Sequence, residues 1–89
     1  MTLQSKESIK ANLDSGLRNK ARLSCILKNG LPESEHIKDD NPVLFHLIEF
    51  EPEFEFDGWY TGHMFYADGK DQGPMDFNVG SFFSVLYKE

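Results

Sequence analysis

The feature that most constrains the fold is a strict alternation of acidic and apolar residues over positions 49–57, Glu-Phe-Glu-Pro-Glu-Phe-Glu-Phe-Asp. Successive side chains of a β-strand point to opposite faces of the sheet, so this segment would gather its apolar side chains on one face and its acids on the other. A helix would distribute both kinds around its circumference. The segment therefore predicts a strand whose acidic face meets solvent. Because Pro52 cannot donate to a ladder, this half of the strand is expected to be an edge, a bulge or a bend.

A hairpin is predicted directly after this strand, because Asp57-Gly58 is a strong signal for a two-residue turn. The returning strand would cover about 59–67. An uninterrupted ladder closed by this turn pairs aromatic and small residues across the two strands: Phe56 with Trp59, Phe54 with Thr61, and Phe50 with Phe65. In the same register, Tyr60, Met64 and Tyr66 would share a face with the acids.

The N-terminal segment predicts a helix over about 4–15, with Ile9 and Leu13 one turn apart on its apolar side and Gly16 as the residue that ends it. Over about 20–28, apolar residues alternate with polar ones, which favours a half-buried strand. A helix is the alternative there, because the segment ends in Asn29-Gly30-Leu31-Pro32, a typical helix terminus.

An N-terminal extension of the acidic strand and one further strand complete the predicted sheet. The acidic strand is expected to begin at about residue 43, since 43–48 is an apolar run typical of a central strand packed on both faces. A last strand is expected over about 77–87, with a bulge at Gly80. The fold class is thus α+β: one domain over 1–89, with the N-terminal helix packed on a mostly antiparallel sheet of four to five strands.

Charge is distributed unevenly along the 89 residues. Residues 1–30 contain six Lys or Arg and two carboxylates, whereas residues 31–89 contain three Lys and thirteen carboxylates, within a net charge of −6. Nucleic acids and anionic lipids are themselves polyanions, so direct binding to nucleic acid or to a membrane is disfavoured. A protein partner with a basic surface would be attracted.

The first functional hypothesis is a small acidic, non-catalytic protein-binding module. An inhibitor or adaptor of this kind would dock its carboxylate-rich strand face into the basic groove of a nucleic-acid-handling protein, as a mimic of nucleic acid. Carboxylates two residues apart on a strand are spaced at roughly 6.6–6.8 Å, which is of the order of the separation between successive phosphates on a nucleic-acid strand. The predicted contact residues are Glu49, Glu51, Glu53, Glu55, Asp57, Tyr60, Met64 and Tyr66. The alternative without a binding function is that these charges only solubilise a sheet edge and protect it from aggregation.

A second hypothesis is a structural subunit or homodimer joined through the C-terminal aromatic residues. Phe82 and Phe83 are adjacent, and neighbours on a regular strand cannot both face one core. Either the N-terminal helix covers one face and a loop the other, or one of the two rings is available to a partner together with Tyr87.

Catalysis has little support in the sequence. Cys25 falls on the apolar side of its strand, where a thiol is inert, and the three histidines show no spacing typical of a metal site. We therefore expect no enzyme, no metal and no cofactor. The first residues contain no apolar signal segment, which leads us to expect a cytoplasmic protein.

Overall fold

The computed structural model describes residues 3–28 and 45–88, and for Phe45 and His46 the backbone alone. One helix packs on a single antiparallel sheet of five strands, ordered β4-β3-β2-β1-β5. The elements are α1 (Lys6–Asn19), β1 (Leu23–Lys28), β2 (Phe45–Phe56), β3 (Trp59–Tyr66), β4 (Asp71–Asn78), a 3-10 turn (Val79–Ser81) and β5 (Phe82–Tyr87). The predicted α+β class is confirmed.

Helix α1 begins as the sequence indicates but ends one turn later than predicted. The Ser5 hydroxyl caps its N-terminus by accepting from the backbone N–H of Ser8. Gly16 does not end the helix: it is buried within α1, where a Cβ would lie 2.8 Å from Leu23 Cδ1. Gly16 is therefore a packing residue that lets the helix approach β1, and Lys20 in the left-handed conformation closes the helix instead.

The strand prediction for 20–28 is confirmed as β1, in which every second residue is buried. The start predicted for β2 at 43 lies outside the described residues. The expectation that its first half is buried on both faces is wrong, because Leu47 is exposed while Ile48 is buried.

The single strand predicted over 77–87 is also wrong, because two strands share this segment. Asn78 ends β4, and the 3-10 turn follows, held by the Ser81 hydroxyl donating to Asn78 Oδ1 over 3.2 Å. Gly80 lies in that turn rather than in a bulge. A long strand was inferred because the residues on both sides are strand formers, while the Asn78–Ser81 cap is a short local signal.

The sheet is strongly curled. The 3-10 turn joins β4 at one edge to β5 at the other, and three residues span only about 10 Å, well short of five strands spaced about 4.8 Å apart. The edges therefore approach each other, and the ring centroids of Phe77 and Phe82 lie 5.4 Å apart. Phe50 packs against both rings, so this concave side holds the core.

Helix α1 covers the concave side through Ile9 and Leu13, which pack in one cluster with buried residues of every strand. We name this the helix face and the opposite side of the sheet the open face. In the described part of the chain no helix or strand lies over the open face.

The free edge of β5 is occupied by the N-terminal segment. Gln4 N donates to Phe83 O over 3.1 Å, Val85 N donates to Gln4 Oε1, and Asn12 Nδ2 donates to Val85 O. These bonds use the backbone groups that a further strand would need for pairing.

Candidate functional site: the open face and the β2–β3 hairpin

A bulge in β2 decides which residues share the open face. The Asp57-Gly58 turn pairs Phe56 with Trp59 as predicted, but the register shifts by one residue at Glu53, so Phe50 pairs with Met64 rather than with Phe65. Residues on the two sides of the bulge therefore alternate in opposite phase. The uninterrupted ladder predicted from the sequence is wrong, and so is the grouping of faces derived from it.

The bulge moves two phenylalanines out of the core. Phe54 and Phe56 were expected on the same face as buried Phe50, yet they are 56% and 69% exposed. They lie on the open face with Trp59, which is 37% exposed. The rings of Phe54 and Phe56 stack with centroids 6.4 Å apart and planes 14° apart. We call Phe54, Phe56 and Trp59 the aromatic patch.

The same bulge divides the predicted acidic row. Glu49, Glu51 and Glu53 remain together on the open face, where Glu53 contacts His63. Glu55 pairs with Tyr60 on the helix face, close enough for its charge to act on Lys10. Asp57 lies in the turn with a φ of 53°.

Glu49 forms ion pairs within the molecule, with Lys88 and Arg22. Its side chain is only 14% exposed and accepts hydrogen bonds from Lys88 Nζ at 2.9 Å and Arg22 Nη1 at 3.2 Å. The bond from Lys88, joined by that from Arg22, lowers the pKa of Glu49. The Arg22 guanidinium also lies 3.7 Å from the centroid of the Phe65 ring. Glu49 is therefore neutralised within the molecule.

His63 links the bulge to β4. Its Nδ1 lies 2.9 Å from Glu53 Oε1, and its Nε2 lies 4.0 Å from Asp71 Oδ2. The hydrogen bond to Glu53, with the nearby charges of Asp71 and Glu51, raises the pKa of His63. These three carboxylates therefore favour the protonated, cationic form of His63 on the open face.

The three apolar contact residues predicted beside the acids lie on the helix face. Tyr60 is fully buried, and its hydroxyl donates to Asp14 while accepting from Lys10 Nζ at 3.1 Å. Burial, with the bond to Asp14, raises the pKa of Tyr60. Met64 packs against the core, and Tyr66 is exposed at the far end of β3. Grouping these residues with Glu49, Glu51 and Glu53 was therefore wrong, whereas they share the helix face with Glu55 as predicted.

The aromatic patch does not follow from the uninterrupted register drawn from the turn, although the bulge lies beside Pro52, where an edge, a bulge or a bend is expected. Two residues in the sequence indicate where the alternation of β2 is interrupted. Pro52 cannot donate a ladder hydrogen bond, and Gly62 stands opposite it. A Cβ on Gly62 would lie 2.1 Å from Glu51 O, so the bulged backbone of β2 requires glycine on the neighbouring strand.

Carboxylates surround the aromatic patch. Asp76 lies across β3 from Phe54 and accepts from the Thr61 hydroxyl over 2.7 Å. From position 50 to 66 the chain contains four carboxylates and no Lys or Arg, and β4 contributes two more carboxylates. This end of the sheet therefore combines exposed aromatic rings with negative charge.

The residues considered for other roles are placed as follows. Cys25 is buried, which raises the pKa of its thiol. Within residues 3–28 and 45–88, no three His, Cys, Asp or Glu side chains are grouped so that they could hold a metal ion. No helix in these ranges is long and apolar enough to span a bilayer.

Phe82 and Phe83, proposed from the sequence as dimer contacts, are both buried. A second irregularity makes this possible: the β1–β5 register shifts so that Phe83 is an extra residue in β5. Of the two alternatives, an exposed ring available to a partner is therefore wrong, and both rings are covered within the molecule. Tyr87 is the exposed member of that set.

Comparison with known proteins gives no relative: no family model, no curated protein and no solved structure matches the chain.

Proposed function

We propose that this chain is a non-catalytic protein-binding module that docks the hairpin end of its open face onto a basic surface of a partner protein. The aromatic patch, exposed and framed by carboxylates, is the observation that carries this proposal. An inhibitor or adaptor acting in the cytoplasm, without enzymatic activity, is the form of function that we expect.

The aromatic patch supports an interface by its exposure. Phe56 keeps more than two thirds of its surface in water although a core of aromatic rings is available on the other side of the same sheet. Aromatic side chains bury a large area with few rotamers to restrict, and they are enriched among the residues that dominate binding energy. A partner that covers the aromatic patch would recover this hydrophobic free energy.

The charge around the patch supports a basic partner. Glu51, Glu53 and Asp76 on the open face repel an acidic surface and attract a basic one, and positions 50–66 contain no Lys or Arg. Charges at the rim of an interface mainly accelerate association and select the partner, while apolar contacts at the centre supply affinity. The aromatic patch and its acidic rim have this arrangement.

The structure changes how mimicry of nucleic acid would work. The sequence hypothesis required five carboxylates in one row, whereas β2 holds three on the open face and one of those, Glu49, is neutralised by Lys88 and Arg22. A nucleic-acid-handling protein remains one class of basic partner in this proposal. It would recognise aromatic rings with an acidic rim rather than a regular row of charges.

The test uses capture of partners from lysate of the host cell by three purified baits: the native chain, Glu51→Lys/Glu53→Lys, and Glu7→Lys/Glu55→Lys. The two variants carry the same charge change, but the first alters the open face, and the second alters the helix terminus and the helix face of the same strand. Circular dichroism and thermal melting confirm that each bait is folded.

We expect one partner to be captured by the native bait and by Glu7→Lys/Glu55→Lys but lost with Glu51→Lys/Glu53→Lys. Its binding, remeasured with purified proteins, should weaken several-fold between roughly 50 and 200 mM salt. Substitution of Phe54 and Phe56 by Ser should abolish it. A partner bound equally by all of these baits would contradict the proposal.

A further inference from the structure

The open face already contains one example of how this protein binds a cation. Arg22 lies over the ring of Phe65, with its guanidinium carbon 3.7 Å from the ring centroid, while its Nη1 donates to Glu49 Oε2 over 3.2 Å. An aromatic face and a carboxylate thus act together on one guanidinium. The ring attracts the charge through its quadrupole, and the carboxylate accepts the hydrogen bond.

The hairpin end of the open face presents the same two kinds of group. The rings of Phe54 and Phe56 stack beside Trp59, the cross-strand partner of Phe56. Glu53 lies next to Phe54 in the bulge, and Asp76 lies across β3 from it. Positions 50–66 contain no Lys or Arg, and the one group there that can become cationic is His63, which contacts Glu53.

We propose that the aromatic patch binds an arginine side chain of a partner protein, with the guanidinium stacked on the exposed rings and paired with Glu53 or Asp76. This inference rests on the proposed function and specifies its partner: a protein with an exposed arginine in a basic segment. Arginine is favoured over lysine because its guanidinium is planar, is weakly hydrated and donates two parallel hydrogen bonds to a carboxylate.

The experiment uses two blocked synthetic peptides in which four Arg or four Lys alternate with Gly and Ser. Trp59 is the one tryptophan of the chain, so its fluorescence reports directly on the aromatic patch. We expect the Arg peptide to bind at least about threefold more tightly than the Lys peptide at low salt.

The variant Phe54→Leu/Phe56→Leu retains apolar side chains but removes two aromatic faces. We expect its preference for the Arg peptide to fall to within about twofold, because Trp59 is the only ring of the aromatic patch left to stack on a guanidinium. Leu86→Ala is the matched control, since Leu86 is equally exposed on the part of the open face formed by β5. It should retain the preference for Arg.

Three outcomes would overturn the inference. Equal affinity for the two peptides, weakened by Glu51→Lys/Glu53→Lys, refutes arginine selectivity but leaves the proposed function standing. Absence of any peptide binding refutes the inference, while the capture experiment decides the proposed function independently. Self-association of the native chain in light scattering, abolished in Phe54→Leu/Phe56→Leu, would identify a second copy as the occupant and contradict both proposals.

Discussion

Replacement of Gly62 by Ala tests the close approach of β2 and β3 at the bulge. An added Cβ would lie 2.1 Å from Glu51 O and 2.8 Å from Pro52 Cα, where real Cβ contacts below 3.0 Å essentially never occur. Both obstructing atoms belong to the backbone, so no side-chain rotation relieves the clash. The two strands would have to separate locally by about 1 Å, in a region where packing leaves little free volume.

The change in the free energy of unfolding caused by Gly62→Ala is the sum of two opposing effects. Alanine in place of glycine lowers the conformational entropy of the unfolded chain, which alone would stabilise the fold by about 0.4–1 kcal/mol. Overpacking of a close-packed site typically costs about 1–3 kcal/mol, and a contact with rigid backbone belongs at the upper end of that range. We therefore expect a net loss of about 2 kcal/mol in the free energy of unfolding and a fall in Tm of roughly 8–16 °C for a domain of this size.

Urea unfolding followed by Trp59 fluorescence and by circular dichroism measures this difference. Gly80→Ala is the matched control, because a Cβ there meets only the tip of the Asn78 side chain at 3.2 Å and should change stability by about 0.5 kcal/mol or less. A Gly62→Ala protein as stable as the native chain would refute the close approach, and with it the bulged register.

Three further changes test the charges and the helix cap. Glu49→Gln should cost about 1–2 kcal/mol at pH 7. Because the folded pKa of Glu49 is lowered, this difference should disappear as pH falls through it, as urea titrations from pH 7 to 3 would show. His63→Gln should lower the free energy of unfolding more at pH 6 than at pH 9. Because the folded pKa of His63 is raised, its bond to Glu53 stabilises the fold at low pH, and this contribution is lost as pH rises through the folded pKa. Equal losses at both pH values would contradict this. Ser5→Ala should cost about 1 kcal/mol through loss of the N-cap, measured by thermal unfolding, with an unchanged Tm as the contrary result.

The fold class could be predicted because it depends on local patterns that the structure retains. Alternating burial in β1, the Asp57-Gly58 turn and the Ile9–Leu13 stripe of α1 each specify an element from a few neighbouring residues.

The candidate site could not be predicted because it depends on a single extra residue. One bulged position at Glu53 reverses which face every later β2 side chain occupies, so Phe54 becomes exposed and Glu55 moves to the helix face. The same effect at Phe83 buries two adjacent phenylalanines. A pattern of period two carries no information on where such a shift occurs, beyond hints such as Pro52 and the opposing Gly62.

The register across the bulge decides that the aromatic patch and the acids share the open face. Nuclear Overhauser contacts between backbone protons of β2 and β3 measure it directly. The structure requires cross-strand contacts between Phe50 and Met64 on one side of Glu53 and between Phe54 and Thr61 on the other. Contacts between Phe50 and Phe65, together with those between Phe54 and Thr61, would show an uninterrupted ladder and contradict the register shift at Glu53.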